Sequence, residues 1–287
     1  MEDVYSFKKN TKDSVAWWCF WPSLVFLGIS FYVSFIGAIV LVTILLLKGG
    51  FENPTDLVNE TIKYSMPINI VAQLIGTAIF LPIYLKTKKE AFPVVTEKSH
   101  WSVSIWSILF ILGVGTVSSF IVELIGNFIT PSDGGLEAIM EAIFSGSLWS
   151  TVVSTVIMAP IMEELMIRGL TLNKLLSGSK KWTAIIVSSI VFGVIHMNLL
   201  QGLNAFVLGI VLALVYYKTR SLITCMLCHA ANNLLSVVSE VLVIKEIGNY
   251  ELINNVIAIA CVVLGIVGTY LFFKSKDAKV EKKKIEA

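Results

Sequence analysis

Apolar residues in this chain arrive in long unbroken runs, not in the 3.6-residue stripe of a surface helix or the alternation of a half-buried strand. Eight runs stand out: Phe20 to Leu47, Pro67 to Leu85, Val103 to Ile129, Leu148 to Ile167, Trp182 to Met197, Leu203 to Tyr217, Leu222 to Ile244 and Leu252 to Phe273. A helix rises 1.5 Å per residue, so about 20 apolar residues cross the hydrocarbon of a bilayer. The fifth and sixth runs, at 16 and 15 residues, are short and lie only five residues apart, which predicts a tight hairpin. Gly134 to Phe144 is too short and too acidic on one face to span, and predicts an interfacial helix after Pro131-Ser132-Asp133. The expected fold class is all-α, a polytopic membrane protein with about eight transmembrane helices. The chain divides into 1–147 with three spans and the interfacial segment, 148–244 with a four-helix core, and 245–287 with the last span and a Lys-rich tail.

Composition removes the soluble alternatives. Hydrophobic residues make up 56% and charged ones 15%, against about 45–50% and about 25% in soluble domains. That excludes a nucleic-acid-binding protein and a secreted disulfide scaffold. The cysteines, Cys19, Cys225, Cys228 and Cys261, all fall inside apolar runs, where Cys behaves as a small hydrophobe. The first apolar run starts late and is far longer than a signal-peptide core, so it is expected to stay in the membrane. A net charge of +2 says little, but 19 of the 22 Lys and Arg fall at the two termini and in alternate loops, leaving Lys48, Lys63 and Lys245 opposite. Positive loops stay cytoplasmic, which predicts a multi-pass protein of the cell membrane with both termini in the cytosol. The segment from Lys274 to Ala287 reads as a disordered, solvated anchor. No internal repeat is visible, which weakens a transporter built from inverted halves.

Ionisable residues inside spanning helices are costly, and each is a functional hypothesis. Glu163-Glu164 and Arg168 lie near the end of the fourth run. Glu164 and Arg168 are spaced i,i+4 with the acid first, the favourable order for an ion pair. One step around a helix turns about 100°, so Glu163 projects from another face and is left free. Pro160 removes a backbone hydrogen bond and should bend the helix just before it. On the fifth run Phe192 and His196 share a face, so the ring can wall the space beside the imidazole. On the seventh, His229 and Asn233 share a face by the same spacing. A carboxylate, two imidazoles and an amide from three helices form the kind of constellation that hydrolysis uses.

Two features cut across this reading. Cys225-Met-Leu-Cys228-His229 matches the haem-attachment pattern, but haem is attached on the oxidising side and this stretch begins close to Lys218 and Arg220. Depth is uneven: at 1.5 Å per residue Glu163 lies roughly 16 Å from Lys174 and His229 roughly 14 Å from Arg220, but His196 lies roughly 22 Å from Lys181. The fifth helix must therefore tilt or start above the bilayer surface.

From Leu148 to Val238 the chain resembles the CPBP family of intramembrane proteases, which includes type II CAAX prenyl endopeptidases and the bacteriocin-processing or self-immunity proteins of the Abi group. The resemblance rests on Glu163-Glu164-x3-Arg168, Phe192-x3-His196 and His229-x3-Asn233, with Ala159-Pro160 and Arg168-Gly169 in the usual surroundings. The family often has an aromatic residue before the motif arginine, where this chain has Ile167. The resemblance implies an eight-helix fold with a cavity open to the cytosol. Glu163 and His196 would activate a water, His229 and Asn233 would hold the oxyanion, and Glu164, Arg168 and Phe192 would be structural support. A partly buried carboxylate suits a base near neutral pH, and an amide or imidazole donor suits an oxyanion.

The function this implies is an endopeptidase cutting a peptide or membrane-protein substrate near the cytosolic face. A peptide precursor or small regulator is preferred over a prenylated substrate, because bacteria generally lack protein prenylation and the chain is bacterial in composition. The alternatives are a non-catalytic immunity or regulatory protein of the same fold that binds a sensor kinase or transporter, and an ion or metal transporter. The sequence commits the chain to no cofactor. Zinc is possible on Glu163, His196 and His229, the usual ligand count for a catalytic site, but these come from separate helices with no His-Glu-x-x-His pair, and a metal-free enzyme is expected.

Overall fold

A computed structural model describes residues 15–49, 53–129, 144 and 146–281. Every apolar run is helical. The order is α1 (Val15–Lys48), α2 (Pro54–Ile62), α3 (Ser65–Glu90), β1 (Val94–Glu97), α4 (Ser102–Ile129), α5 (Leu148–Gly178), α6 (Lys181–Val194), α7 (Leu199–Thr219), α8 (Leu222–Ile244), α9 (Tyr250–Lys274) and β2 (Lys279–Glu281). Seven of these are long and apolar enough to cross a membrane among the described residues. The remaining run, the fifth, is α6, whose 14 residues stop at Val194, short of the Met197 boundary read from the sequence. The predicted interfacial helix falls outside the described residues except for Phe144. The short amphipathic α2 was not foreseen; Asn53 caps it by accepting from Asp56 N–H at 2.9 Å, with Pro54 at its first position.

The helices form two packed groups. In one, the Phe80 and Tyr84 face of α3 packs with Met162, Leu165, Met166 and Phe192. In the other, Phe110 and Ile111 of α4 pack with Leu208, Leu212 and Val215 of α7 and Phe272 of α9. Glycines let α4 and α9 touch backbone to backbone: a Cβ on Gly113 would stand 2.6 Å from Gly265 Cα. Most other large apolar side chains on α1 and α9 point outward, as lipid-facing helices require.

The hairpin between the fifth and sixth runs is present. Met197 takes φ 54°, and Asn198 caps α7 by accepting from Gln201 N–H at 3.0 Å. Gly193 and Gly202 face each other so closely that a Cβ on Gly193 would stand 2.7 Å from Gly202 O.

The tail departs from expectation. β2 pairs antiparallel with β1, Val95 opposite Val280, and Lys279 is ion-paired with Glu97. Lys218, with little exposure, donates Nζ to Ser275 O at 2.6 Å and to Asp277 Oδ1 at 2.7 Å. Buried amines need such partners, so the stretch 275–281 is a docked strap instead of the disordered anchor the Lys-rich sequence suggested. The pairing also puts the α3–α4 connection and the end of α9 at one end of the bundle.

Candidate functional site

α5 carries the acidic pair, and it is not a regular helix. Residues Val152–Met158 and Leu165–Leu172 are π-helical, with Ala159–Glu164 an α-turn between them. Insertions of this kind recur at functional sites. The sequence predicted only a bend at Pro160. The chain between Pro160 and Gly169 is nonetheless buried except for Ile161 and Glu163, which are partly exposed. Interhelical polar contacts fix the first π segment: Asn69 donates Nδ2 to Ser154 Oγ at 3.2 Å, and Ser154 Oγ lies 3.4 Å from Gln73 Oε1.

Glu164 and Arg168 form the expected ion pair, Nη1 to Oε1 at 2.8 Å, both side chains fully buried. Arg168 Nη2 also donates to Gly209 O at 3.1 Å, and its guanidinium carbon lies 4.6 Å from the Phe192 ring centroid. The same Glu164 oxygen meets His229 Nδ1 at 2.9 Å. Sequence reasoning gave Glu164 only a supporting role for the helix and missed this bond, because nothing in residue spacing reports which helices become neighbours. Glu164 Oε2 has no hydrogen-bond partner among the described residues.

Glu163 keeps 15% of its side chain exposed and accepts no hydrogen bond among the described residues; His229 Nε2 stands 3.9 Å from its Oε2. One imidazole is thus held on its Nδ1 side by Glu164 and faces Glu163 with Nε2. His196 sits on the turn after α6. Its Nδ1 bonds Phe192 O at 2.7 Å. A carbonyl only accepts, so Nδ1 carries the proton and neutral His196 has its lone pair on Nε2.

The depth offset of His196 does not separate it from the rest. Its ring folds back one turn toward the Phe192 carbonyl, and the Phe192 ring lies 5.1 Å from His196 and 5.7 Å from His229, edge-on to both. No ion pair or hydrogen bond joins His196 to Glu163 among the described residues. Asn233 donates Nδ2 to Thr155 O at 2.8 Å, tying α8 to the first π segment.

The haem-like cysteines are buried and unpaired, and Cys225 Sγ points to Leu212 O at 3.7 Å. No three His, Cys, Asp or Glu side chains among the described residues converge closely enough to hold a metal ion. The donor set Glu163, His196 and His229 therefore does not fit zinc in this arrangement.

Two further cavities are lined by other residues. One of about 590 Å³ runs between α4, α7 and α9, past Val117, Ile121, Phe206 and Ile266. An adjoining one of about 420 Å³ lies along the α6–α7 hairpin by Val194 and Met197, either side of His196. Both are lined almost wholly by aliphatic and aromatic side chains.

Residues 145–235 match the family model described as type II CAAX prenyl endopeptidase Rce1-like. That span contains Glu163, Glu164, Arg168, Phe192, His196, His229 and Asn233. No curated protein and no solved structure matches the chain.

Proposed function

We propose that this chain, a member of the CPBP family through its matched core, is an endopeptidase that hydrolyses a peptide bond within reach of the cytosolic membrane face. Glu163 is the base. The observation that carries this reading is the contrast between adjacent carboxylates: Glu164 is tied to Arg168 and His229, and Glu163, partly exposed, has no hydrogen bond among the described residues to hold it. A base must be free to accept a proton, and Glu163 is the carboxylate in the cluster that meets this need.

In this mechanism a water lies between Glu163 and His196 Nε2 and attacks the carbonyl carbon of the substrate. Glu163 takes one water proton as the C–O bond forms, and the carbonyl π electrons move to its oxygen. His229, when Nε2 is protonated, and the second N–H of Asn233 donate to that oxyanion. Glu163 then returns the proton to the leaving nitrogen as the C–N bond breaks. An oxyanion donor of this kind contributes about 3 kcal/mol to the transition state. Glu164 orients His229 by accepting from its Nδ1, and Arg168 holds Glu164. Neither of these two touches substrate.

The substrate is a peptide precursor or a small membrane protein with its cleaved bond near the cytosolic end of the bundle. The test is comparative mass spectrometry of peptide and protein termini from cells carrying wild type or Glu163→Gln. A terminus present only with wild type supports the reading. Identical terminus sets together with full retention of phenotype in Glu163→Gln would support the non-catalytic partner reading instead.

A further inference from the structure

We infer that Pro160 is a positioning residue for Asn233, acting by leaving the Thr155 carbonyl without a backbone donor. This rests on the proposed role of Asn233 at the oxyanion, although the hydrogen bond itself does not. A backbone carbonyl at position i accepts from the N–H of i+4 in an α-helix and of i+5 in a π-helix. Thr155 lies in the π segment Val152–Met158. Its α-register donor, Ala159 N–H, bonds Ser154 O. Its π-register donor would be residue 160, and proline has no N–H.

The Thr155 carbonyl is thereby left open inside the bundle, where a polar backbone group must find a protein partner. Asn233 Nδ2 supplies it at 2.8 Å. A carbonyl cannot donate, so the contact also fixes which end of the Asn233 amide faces α5. Nδ2 points to α5 with one N–H, and its other N–H remains available for a substrate oxygen. Because His229 lies one turn before Asn233 on α8, the same bond pins the helix that presents His229 to Glu163 and Glu164. In the second π segment a side-chain amide also meets backbone carbonyls, there within the same helix and without a proline: Asn173 Nδ2 lies 3.0 Å from Arg168 O and 3.1 Å from Gly169 O. A proline five residues after a polar contact on another helix would otherwise read as a simple bend.

Pro160→Ala restores an N–H that can compete for Thr155 O. With a synthetic peptide spanning the cleavage site found by the terminus comparison, kcat should fall about 10-fold or more with KM nearly unchanged, as for weakening a transition-state donor. Pro160→Ala should add little to the loss already caused by Asn233→Ala. Placing lactic acid, the α-hydroxy analogue of alanine, at position 160 makes the linkage an ester without N–H, and should restore most of the wild-type rate. A second readout is independent of activity. In protein labelled with 15N-asparagine, the Asn233 side-chain amide resonance should move in Pro160→Ala and return in the ester variant. An unmoved resonance in Pro160→Ala, or an ester variant that behaves as the alanine one, overturns the inference. If wild type cuts nothing, the peptidase reading fails, and the resonance comparison still decides the role of Pro160.

Discussion

Two neighbouring carboxylates on one helical turn meet different surroundings because a single residue step rotates the side chain by about 100°. Glu164 turns into the core, where Arg168 and His229 share its Oε1, whereas Glu163 turns toward a partly open space. Replacing Glu163 by Gln keeps shape and packing but removes the base, so cleavage should fall by at least ~100-fold with near-normal protein level. Glu164→Gln leaves Arg168 as a buried charge without its anion and should lower stability by about 3 kcal/mol or more, read as a lower thermal midpoint in detergent. It should also reduce activity in the folded fraction, because His229 loses its orienting acceptor. Equal loss of protein level in both variants would contradict this division. The free-versus-paired contrast was legible in the i,i+4 spacing of Glu164 and Arg168. The His229 bond was not, since it depends on α8 lying beside α5, a tertiary fact that no local pattern encodes.

Hydrophobic run length gave the helices themselves, because in a bilayer a long apolar segment has no alternative to satisfying its own backbone. Run length is blind to hydrogen-bond register, so the π segments of α5 were invisible, and Lys content alone made the tail look solvated. In the strap, the hydrogen bond and charge of Lys279 hold the Glu97 carboxyl below the usual carboxylate range, and Glu97 in turn raises the Lys279 amine. The sign follows from both shifts. The pair favours the docked strap between the ordinary pKa values of Glu and Lys. It is lost on the acid side as pH falls through the lowered Glu97 value, and on the alkaline side as pH rises through the raised Lys279 value. Spin labels at Val95 and Val280, cross-strand partners in the ribbon, should give one short, narrow distance at neutral pH. The distribution should broaden on acidification below the carboxylate range and, at neutral pH, in Glu97→Gln. A broad distribution at neutral pH in the otherwise native chain would mean the strap is not docked.

At the scale of the whole molecule, the paired strands fix the α3–α4 connection and the tail at one end, and six helices intervene between them. The same end carries Lys86, Lys88 and Lys89 with Lys174, Lys180, Lys181, Lys218 and Arg220, the distribution expected of a cytosolic face. Single-cysteine variants labelled from outside intact cells should react at Asn53→Cys and Gly248→Cys and not at Lys89→Cys. Labelling at position 89 would invert the topology and put the site on the outer face.

The central claim is that Glu163 drives addition of water to a peptide bond. The direct measurement mixes purified protein with detergent-solubilised membranes from cells that express Glu163→Gln, in buffer made with H2(18)O, followed by mass spectrometry of new carboxyl termini. Wild type should produce discrete new termini bearing one 18O, and Glu163→Gln should produce none. The same termini from both proteins, or none from wild type under conditions in which the protein is folded, would contradict the account.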